Sequence, residues 1–396
     1  MIPTEKRTYQ QIRTVERLLS AYQQEAHGIP LARFLAGFYK QNPQMGAKDR
    51  RMASRLAYHY FRMGNAAGQS EFPLQLAIAE FLCSEESTVA ELLLPALYPA
   101  IHAPLDEKVA LLEKHTPFRF LEVFPLLDQL SAGIDPRRFV LGLFEQPDLF
   151  LRLRPRYAAN VIATLERAGI DFRRVGDFTV ALPNGTALAR IPGLAGNYEV
   201  QDYSSQQTGR FFRASSGESW WDACAGAGGK SLLLLDSYPG VQLLVSDMRG
   251  SILRNLDERF QAAGIQSYRQ KIIDFTKKDT AAVLGREQFD GIILDVPCSG
   301  SGTWGRTPEM IAAFQAGAIR RFGALQRQIA GQVVKHLKPG KPLIYITCSV
   351  FAEENEGVVR YLQDHHHLHL EHMEVLQGYH HRADSMFAAR LIMKRL

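Results

Sequence analysis

The sequence predicts an α/β protein in which a large, mostly parallel sheet follows a small α+β unit and an all-α N-terminal domain. Three observations lead there. From about residue 217, strand-like and helix-like segments alternate; between residues 149 and 182, two segments of strict apolar alternation flank a single helix. Before residue 135, apolar residues recur at helical spacing. A chain of 396 residues suits two or three domains, and the expected divisions are 1–135, 136–205 and 206–396.

In the first domain, Met52, Leu56, Tyr60 and Met63 fall on one face of a helix predicted over 51–63. Arg51, Arg55 and Arg62 form an adjoining stripe. Such a stripe can grip phosphates bidentately, and it is equally consistent with a solvated face. Residues 1–63 carry 11 Lys or Arg against 4 Asp or Glu, whereas residues 71–135 carry 3 against 11. The overall charge of +5 therefore averages a basic segment and an acidic one, and the basic segment leaves a polyanion open as partner. Leu-rich stretches over 73–97 and 106–130 continue the helical texture, with prolines as punctuation.

The second unit opens with Leu149, Leu151 and Leu153 alternating with Phe150, Arg152 and Arg154, a strand with an apolar face and a partly basic one. A helix is expected over 157–168, stopped by Gly169, and a second strand over 178–182 ends at the turn signal Pro183-Asn184-Gly185. Arg152, Arg154 and Arg156 share one side of the first strand, so phosphate contact is expected there too. In the third domain, strands are predicted at 219–223, 242–246, 267–273, 291–294, 343–347 and 387–393, with helices such as 253–263 and 318–337 between them.

Composition excludes several classes. Prolines 95, 99 and 104 break the longest apolar stretch, so no transmembrane helix is expected, and the polar N-terminus carries no apolar signal core. The 4 cysteines include no CxxC pair, which argues against a disulfide scaffold or a cysteine zinc site and for a reducing cytoplasm. His365–His367, His369, His380 and His381 lack a matching set of metal ligands and read as a solvated connection; no metal is expected.

Four loops after predicted strands carry the chemistry. Asp222-Ala-Cys-Ala-Gly-Ala-Gly-Gly-Lys230 is small and glycine-rich, so its backbone can approach a ligand closely. Its spacing fits neither the phosphate loop GxxxxGK nor the dinucleotide GxGxxG. Asp247, at the end of the next strand, can accept hydrogen bonds from both hydroxyls of a ribose, or can cap a helix. Asp274 occupies the corresponding place after the third strand, where an acceptor can read an adenine amino group or can again cap a helix. Asp295-Val-Pro-Cys298-Ser-Gly follows the fourth strand and Thr347-Cys348-Ser the fifth. A lone cysteine is usually an inert core thiol, but two at neighbouring strand ends point to chemistry.

DACAGAGGK, SDMR, IDF, DVPCSG and ITCSV resemble the ordered motifs of the Sun/Fmu family of RNA cytosine-5 methyltransferases. Glu353-Glu354-Asn355 and Val200-Gln-Asp-Tyr-Ser-Ser205 are similar to the family's flanking segments, so the resemblance runs from about residue 148 to the C-terminus. Residues 45–58 are reminiscent of the NusB-like helical domain of the 16S rRNA members. Gly226-Ala227 stands where the family usually has Ala-Pro, and Asp384-Ser-Met-Phe387 replaces a more usual Asp-Gly-Phe-Phe.

The resemblance implies a Rossmann-like class I methyltransferase domain that moves a methyl group from S-adenosyl-L-methionine to carbon 5 of a cytosine through a covalent cysteine–carbon 6 adduct. It implies Cys348 as nucleophile and Cys298 as the helper in product release, with the reverse assignment open. Asp295 is then expected to hold or share a proton at ring nitrogen 3, with a raised pKa, and Lys230 to supply the cation beside the thiolate. The backbone from Cys224 through Ala225, Gly226, Ala227, Gly228 and Gly229 to Lys230 is expected to cradle the cofactor, with Asp247 at the ribose, Asp274 at the adenine and Asp295 near the methionine end. The expected partner is RNA, rRNA before tRNA, bound by a monomer without an obligate protein partner or a membrane. A non-catalytic RNA-binding assembly factor on the same fold is the competing class, which the intact cysteine pair disfavours. A nitrogen or protein methyltransferase is disfavoured by Asp295-Val-Pro-Cys298, which stands where such enzymes often carry an (Asp/Asn)-Pro-Pro-aromatic loop.

Overall fold

The structure, a computed structural model, describes residues 3–25, 28–66, 70–277 and 280–395. They form two compact units, one of Met1–Asp128, Asp135–Gln146 and Trp304–Phe314, the other of Gln129–Ile134, Pro147–Thr303 and Gln315–Leu396.

The first unit is helical: α1 (Pro3–Glu25), α2 (Leu31–Gln41), α3 (Ala47–Arg62), α4 (Phe72–Cys83), α5 (Thr88–Leu93), α6 (Leu105–His115) and α7 (Pro136–Leu143). Helix α3 begins four residues earlier than the apolar periodicity indicates, and Ala53, Leu56 and Ala57 form its buried face. Arg62 belongs to that buried side. Its guanidinium donates to the carbonyls of Leu143 (2.5 Å) and Glu145 (3.1 Å) and to Gln146 Oε1 (3.0 Å), closing the C-terminal end of α7. Those carbonyls have no partner within the helix, which is why a buried cation is tolerated there.

The second unit holds two sheets. The smaller is antiparallel, in the order β2-β3-β1-β4, from β1 (Leu149–Leu153), β2 (Arg173–Gly176), β3 (Thr179–Leu182) and β4 (Tyr198–Val200), with α8 (Ala158–Arg167) packed on one face. Leu151, Leu153, Val180 and Leu182 meet Val161 and Leu165 of α8 in its core, as the alternation requires. The short helix α9 (Tyr203–Gln207) leads to the larger sheet.

That sheet has the order β10-β11-β9-β8-β5-β6-β7. In chain order its elements are β5 (Ser219–Asp222), α10 (Gly229–Ser237), β6 (Gln242–Asp247), α11 (Gly250–Ala262), β7 (Arg269–Ile272), α12 (Ala281–Leu284) and β8 (Gly291–Asp295). The segment Trp304–Phe314, with α13 (Glu309–Ala313), then belongs to the helical unit, where Glu309 accepts from the Leu31 amide at the start of α2. Helix α14 (Gly317–Val333), β9 (Pro342–Thr347), α15 (Glu356–His365), β10 (Leu368–Leu376) and β11 (Met386–Met393) complete the chain.

Strands β5 to β9 pair in parallel, and β11 runs antiparallel to both β9 and β10. All six expected strands are present, each within a few residues of its predicted span. Strand β10 was not expected: the stretch read as a solvated histidine-rich connection is an edge strand carrying His369 and His372, its alternation broken by a register shift between Leu370 and His372. Its exposed face is polar because an edge strand needs only one apolar face.

Candidate active site at the carboxyl edge of the large sheet

Strand order reverses at β5, with β6 on one side and β8 on the other, and this is where open α/β sheets bind ligands. The loops after β5 to β8 enclose a cavity of about 500 Å³ there, lined among others by Cys224, Gly226, Asp247, Met248, Asp274, Phe275, Asp295 and Pro297. Gly226 (φ 53°) and Gly228 (φ 81°) both take the left-handed backbone region, and a Cβ at Gly228 would stand 2.7 Å from Phe260. Gly226 thus adopts the turn in which the family pattern carries alanine. Its amide donates to Asp247 Oδ2 (3.1 Å), while Asp247 Oδ1 accepts from the Arg249 amide (2.9 Å). Asp247 therefore fixes the turn it faces instead of capping α11, whose N-cap is Arg249. Asp274 lines the same cavity and accepts from the Thr276 hydroxyl (2.6 Å) and amide (3.0 Å), which hold its carboxyl below the ordinary range. Burial, with the negative charges of neighbouring carboxylates, drives the Cys224 thiol pKa well up, so it acts as lining.

Asp295 links this cavity to the thiols. Lys230 reaches from the first turn of α10 and donates to Asp295 Oδ2 (3.0 Å) and to Ser205 Oγ (2.8 Å). Lys230 was expected beside the thiolate; its ammonium is instead committed to the Asp295 carboxylate. Three residues past Asp295, Cys298 Sγ lies 3.2 Å from Cys348 Sγ. This contact, with burial, raises the Cys298 pKa well above that of a free thiol. Either sulfur can donate to the other across this contact.

A buried carboxylate holds both thiol loops. Glu354 accepts from the Ser299 amide (2.9 Å), the Ser349 hydroxyl (2.7 Å) and Gln326 Nε2 (2.9 Å), and Gln326 also donates to the Pro297 carbonyl (3.0 Å). Asn355 accepts from the Thr347 hydroxyl (2.6 Å) and donates to the Ser349 carbonyl (2.9 Å). Neither Glu354 nor Gln326 was singled out as a site residue in the sequence; the one signal was Glu353-Glu354-Asn355. At Gly302 the chain presses on Ser385, whose carbonyl would lie 1.9 Å from any Cβ there.

The basic residues divide. Arg152 is buried, donating to Asp236 Oδ2 (2.5 Å) and Gln201 Oε1 (2.8 Å), and Arg154 donates to Asp236 Oδ1 (2.9 Å) and the Ala263 carbonyl (2.5 Å). These two, with Arg62, are internal fasteners and not phosphate ligands, a correction to the reading of both stripes. Desolvating a guanidinium is tolerable only where a carboxylate or several carbonyls receive it. Arg55 pairs with Glu80 (2.8 Å) and stays part-exposed, while Arg51 and Arg156 are exposed, Arg156 over the Tyr157 ring. Gln201, which holds Arg152, also donates to Ser205 and to the Gly229 carbonyl, so the small sheet braces the first loop. Among the described residues no cluster could hold a metal ion, and no helix is long and apolar enough to cross a membrane.

A Rossmann-like sheet with a ligand cavity at its switch point and acidic side chains after successive strands defines the methyltransferase class of α/β domain. Residues 211–394 match the model of the family described as 16S rRNA methyltransferase RsmB/F. Over these residues the chain is similar to that family, the Sun/Fmu group of S-adenosylmethionine-dependent methyltransferases. The ribosomal RNA small subunit methyltransferase B of Erwinia tasmaniensis is 32% identical over 228 residues, 56% of this chain and 52% of that protein. The protein of the same name from Klebsiella pneumoniae is 30% identical over 216 residues, 53% of this chain and 49% of that protein. The chain thus spans about half the length of the curated relatives it matches. The crystal structure of PH0851 shares the fold over 99% of both chains (TM-score 0.71, 19% identity). A methyltransferase homolog protein from Pyrococcus horikoshii does so over 72% of this chain and 98% of its own (TM-score 0.57, 20% identity).

Proposed function

We propose that this protein is an RNA (cytosine-5) methyltransferase acting on structured RNA, 16S rRNA before tRNA. The observation that carries the reading is the pair of thiols 3.2 Å apart beside the Lys230–Asp295 ion pair, at the rim of the cavity. S-adenosylmethionine, when bound, supplies an electrophilic methyl group. The cavity residues fit it by type: Asp247 would hold a ribose, Asp274 an adenine and Asp295 the methionine end, with the turn from Cys224 to Lys230 as the cradle.

Carbon 5 of cytosine is a poor nucleophile until carbon 6 is attacked. Cys348 is taken as the attacking sulfur, as the resemblance implies, and a thiolate is needed because a neutral thiol is too weak a nucleophile. Asp295, oriented by its pair with Lys230, is assigned to hold a proton at ring nitrogen 3, offsetting negative charge as the cysteine–carbon 6 bond forms. After carbon 5 is methylated it loses its proton, the electron pair reforms the 5,6 double bond, and the Cys348 sulfur leaves, assisted by Cys298. Arg51, Arg55 and Arg156 remain candidates for phosphate, and the N-terminal helices are read as NusB-like and RNA-binding.

The test combines trapping with mapping. RNA carrying 5-fluorocytosine should form a covalent adduct with the wild type and with Cys298→Ala, and none with Cys348→Ala. The reverse pattern exchanges the two cysteines. Bisulfite sequencing of total RNA with and without the protein should show one protected 16S position, and no change at any cytosine would leave the non-catalytic RNA-binding factor as the better reading.

A further inference from the structure

On the far side of Cys348 from the cofactor cavity, the same sheet edge carries a second hollow. Strand β10 is the edge neighbour of β11 and runs parallel to β9, so its C-terminal end emerges at the edge where Cys348 lies. Beyond it, the hollow measures about 540 Å³ and is lined by Tyr203, Gln207, Arg210, Glu374, Gln377 and His381, among others. It is polar, unlike the mostly apolar cofactor cavity, and it belongs to neither the thiol loops nor the cofactor turn.

Helix α9, part of its wall, is linked to the Cys348 loop by a run of hydrogen bonds. The Gly302 amide donates to the Cys348 carbonyl (2.9 Å), and the Ser385 amide donates to the Gly302 carbonyl (2.8 Å). The next residue back, Asp384, donates its amide to Asp202 Oδ2 (3.1 Å), at the N-cap of α9. Helix α9 then serves two sites. Its Ser205 receives Lys230 on the Asp295 side, while Tyr203, Ser204 and Gln207 face the hollow. The Tyr203 ring stacks on Phe150 (5.9 Å) and meets the His381 imidazole edge-on (5.0 Å). Burial, with Arg173 and His380 nearby, holds His381 below the ordinary histidine pKa, so it is a neutral ring at pH 7. Arg210, the basic residue of the wall, is half engaged by Glu374 (3.1 Å).

Rings, carboxamides and one partly paired guanidinium suit an unstacked nucleobase better than a run of phosphates, since single-stranded RNA is read by stacking and base-edge hydrogen bonds. We propose that this hollow is a nucleotide subsite that takes an unpaired base adjacent to the target cytosine while the target lies over Cys348. The inference rests on the RNA-methylating reading above. It assigns Tyr203 and His381 as stacking groups and Gln207 as the base-edge reader, while Gln377, which donates to the Gly133 carbonyl (2.6 Å) and meets His380 Nε2 through its Oε1 (3.1 Å), holds the wall.

The probe is 16S rRNA transcribed with 4-thiouridine, cross-linked to the full-length protein at 365 nm and mapped by mass spectrometry of the attached peptides. Cross-links should fall on the peptides containing Tyr203 and residues 377–381, and His381→Ala with Gln207→Ala should weaken RNA retention about tenfold. Affinity for S-adenosylhomocysteine, measured by calorimetry, should stay unchanged. Because Tyr203 also packs on Phe150, Tyr203→Ala is accompanied by Tyr203→Trp, which keeps a stacking ring and should restore retention. If the transcript binds and Cys348 still traps 5-fluorocytosine, yet no cross-link falls here and the double variant binds as the wild type, the subsite is overturned and the methyltransferase reading stands. No binding of any RNA tested would overturn both.

Discussion

The carboxyl edge of the large sheet and the basic face of the small one make an instructive pair. Both present polar side chains from strands of similar make-up, yet one opens into cavities and the other closes on itself. Asp295, Cys298 and Cys348 leave their strands at the edge where loops, not side chains, cover the sheet. Arg152 and Arg154 project from within or just after β1 and are consumed by Asp236 and by carbonyls. A group at the end of a parallel strand stays available because backbone pairing stops there. A cation on the face of a strand must be solvated or paired, and here it is paired. Counting charges could not separate these fates; position relative to the strand end could.

The sharpest way to break this contrast is at the thiols. Cys348→Ala should lower methyl transfer at least about 1,000-fold, with cofactor affinity intact by calorimetry. Activity within tenfold of wild type would remove the edge's claim to be the reacting centre. Next, Lys230→Met should cost about 100-fold in kcat, since it removes the ammonium that orients Asp295, with a smaller effect on KM for RNA. A pure KM effect would make Lys230 an RNA ligand instead.

On the small sheet the prediction changes kind. Arg152→Met should destabilise the fold by about 3–5 kcal/mol, because Asp236 is left buried with only Arg154. It should leave the salt dependence of RNA binding untouched. A change in that slope without a shift in the urea midpoint would restore Arg152 as a phosphate ligand.

Asp222 gives a milder test from beneath the first loop. Burial lifts its pKa to about 7, and Oδ2 accepts from Ser231 while Oδ1 has no partner among the described residues. The folded state then holds a proton that the unfolded chain has released, so stability falls as pH rises from about 4 to 7, by up to about 1.4 kcal/mol per unit. Asp222→Asn should flatten that slope in pH-resolved urea melts. Smallest of all, Arg156→Ala should reduce the salt slope of RNA binding by about 0.7 to 0.9, one phosphate contact.

Much of this was legible because the chemistry lies in short loops whose neighbours are strands of plain apolar character, such as Ile292–Leu294 before Asp295 and Leu343–Ile346 before Cys348. What escaped was long-range. That Glu354 would clasp Ser299 and Ser349, or that Lys230 would meet Asp295 and not a sulfur, depends on which loops the sheet order brings side by side. Strand β10 escaped for a local reason, since a bulge and a polar outer face erase the period-two signal. Buried Arg62, Arg152 and Arg154 each have a partner more than 80 residues away in the chain.

The excursion of Trp304–Phe314 into the helical unit carries a consequence for how such a protein can be inherited. The chain crosses between its two units at residues 128, 134, 146, 303 and 314, so neither unit is a contiguous cassette. A gene fragment beginning at residue 147 would carry Trp304 and Ile311, both buried in the helical unit, without the helices that cover them. Any shuffling of N-terminal domains onto this sheet therefore has to exchange three separated stretches of sequence together, which ties the ancestry of the helices to that of the loop following Cys298.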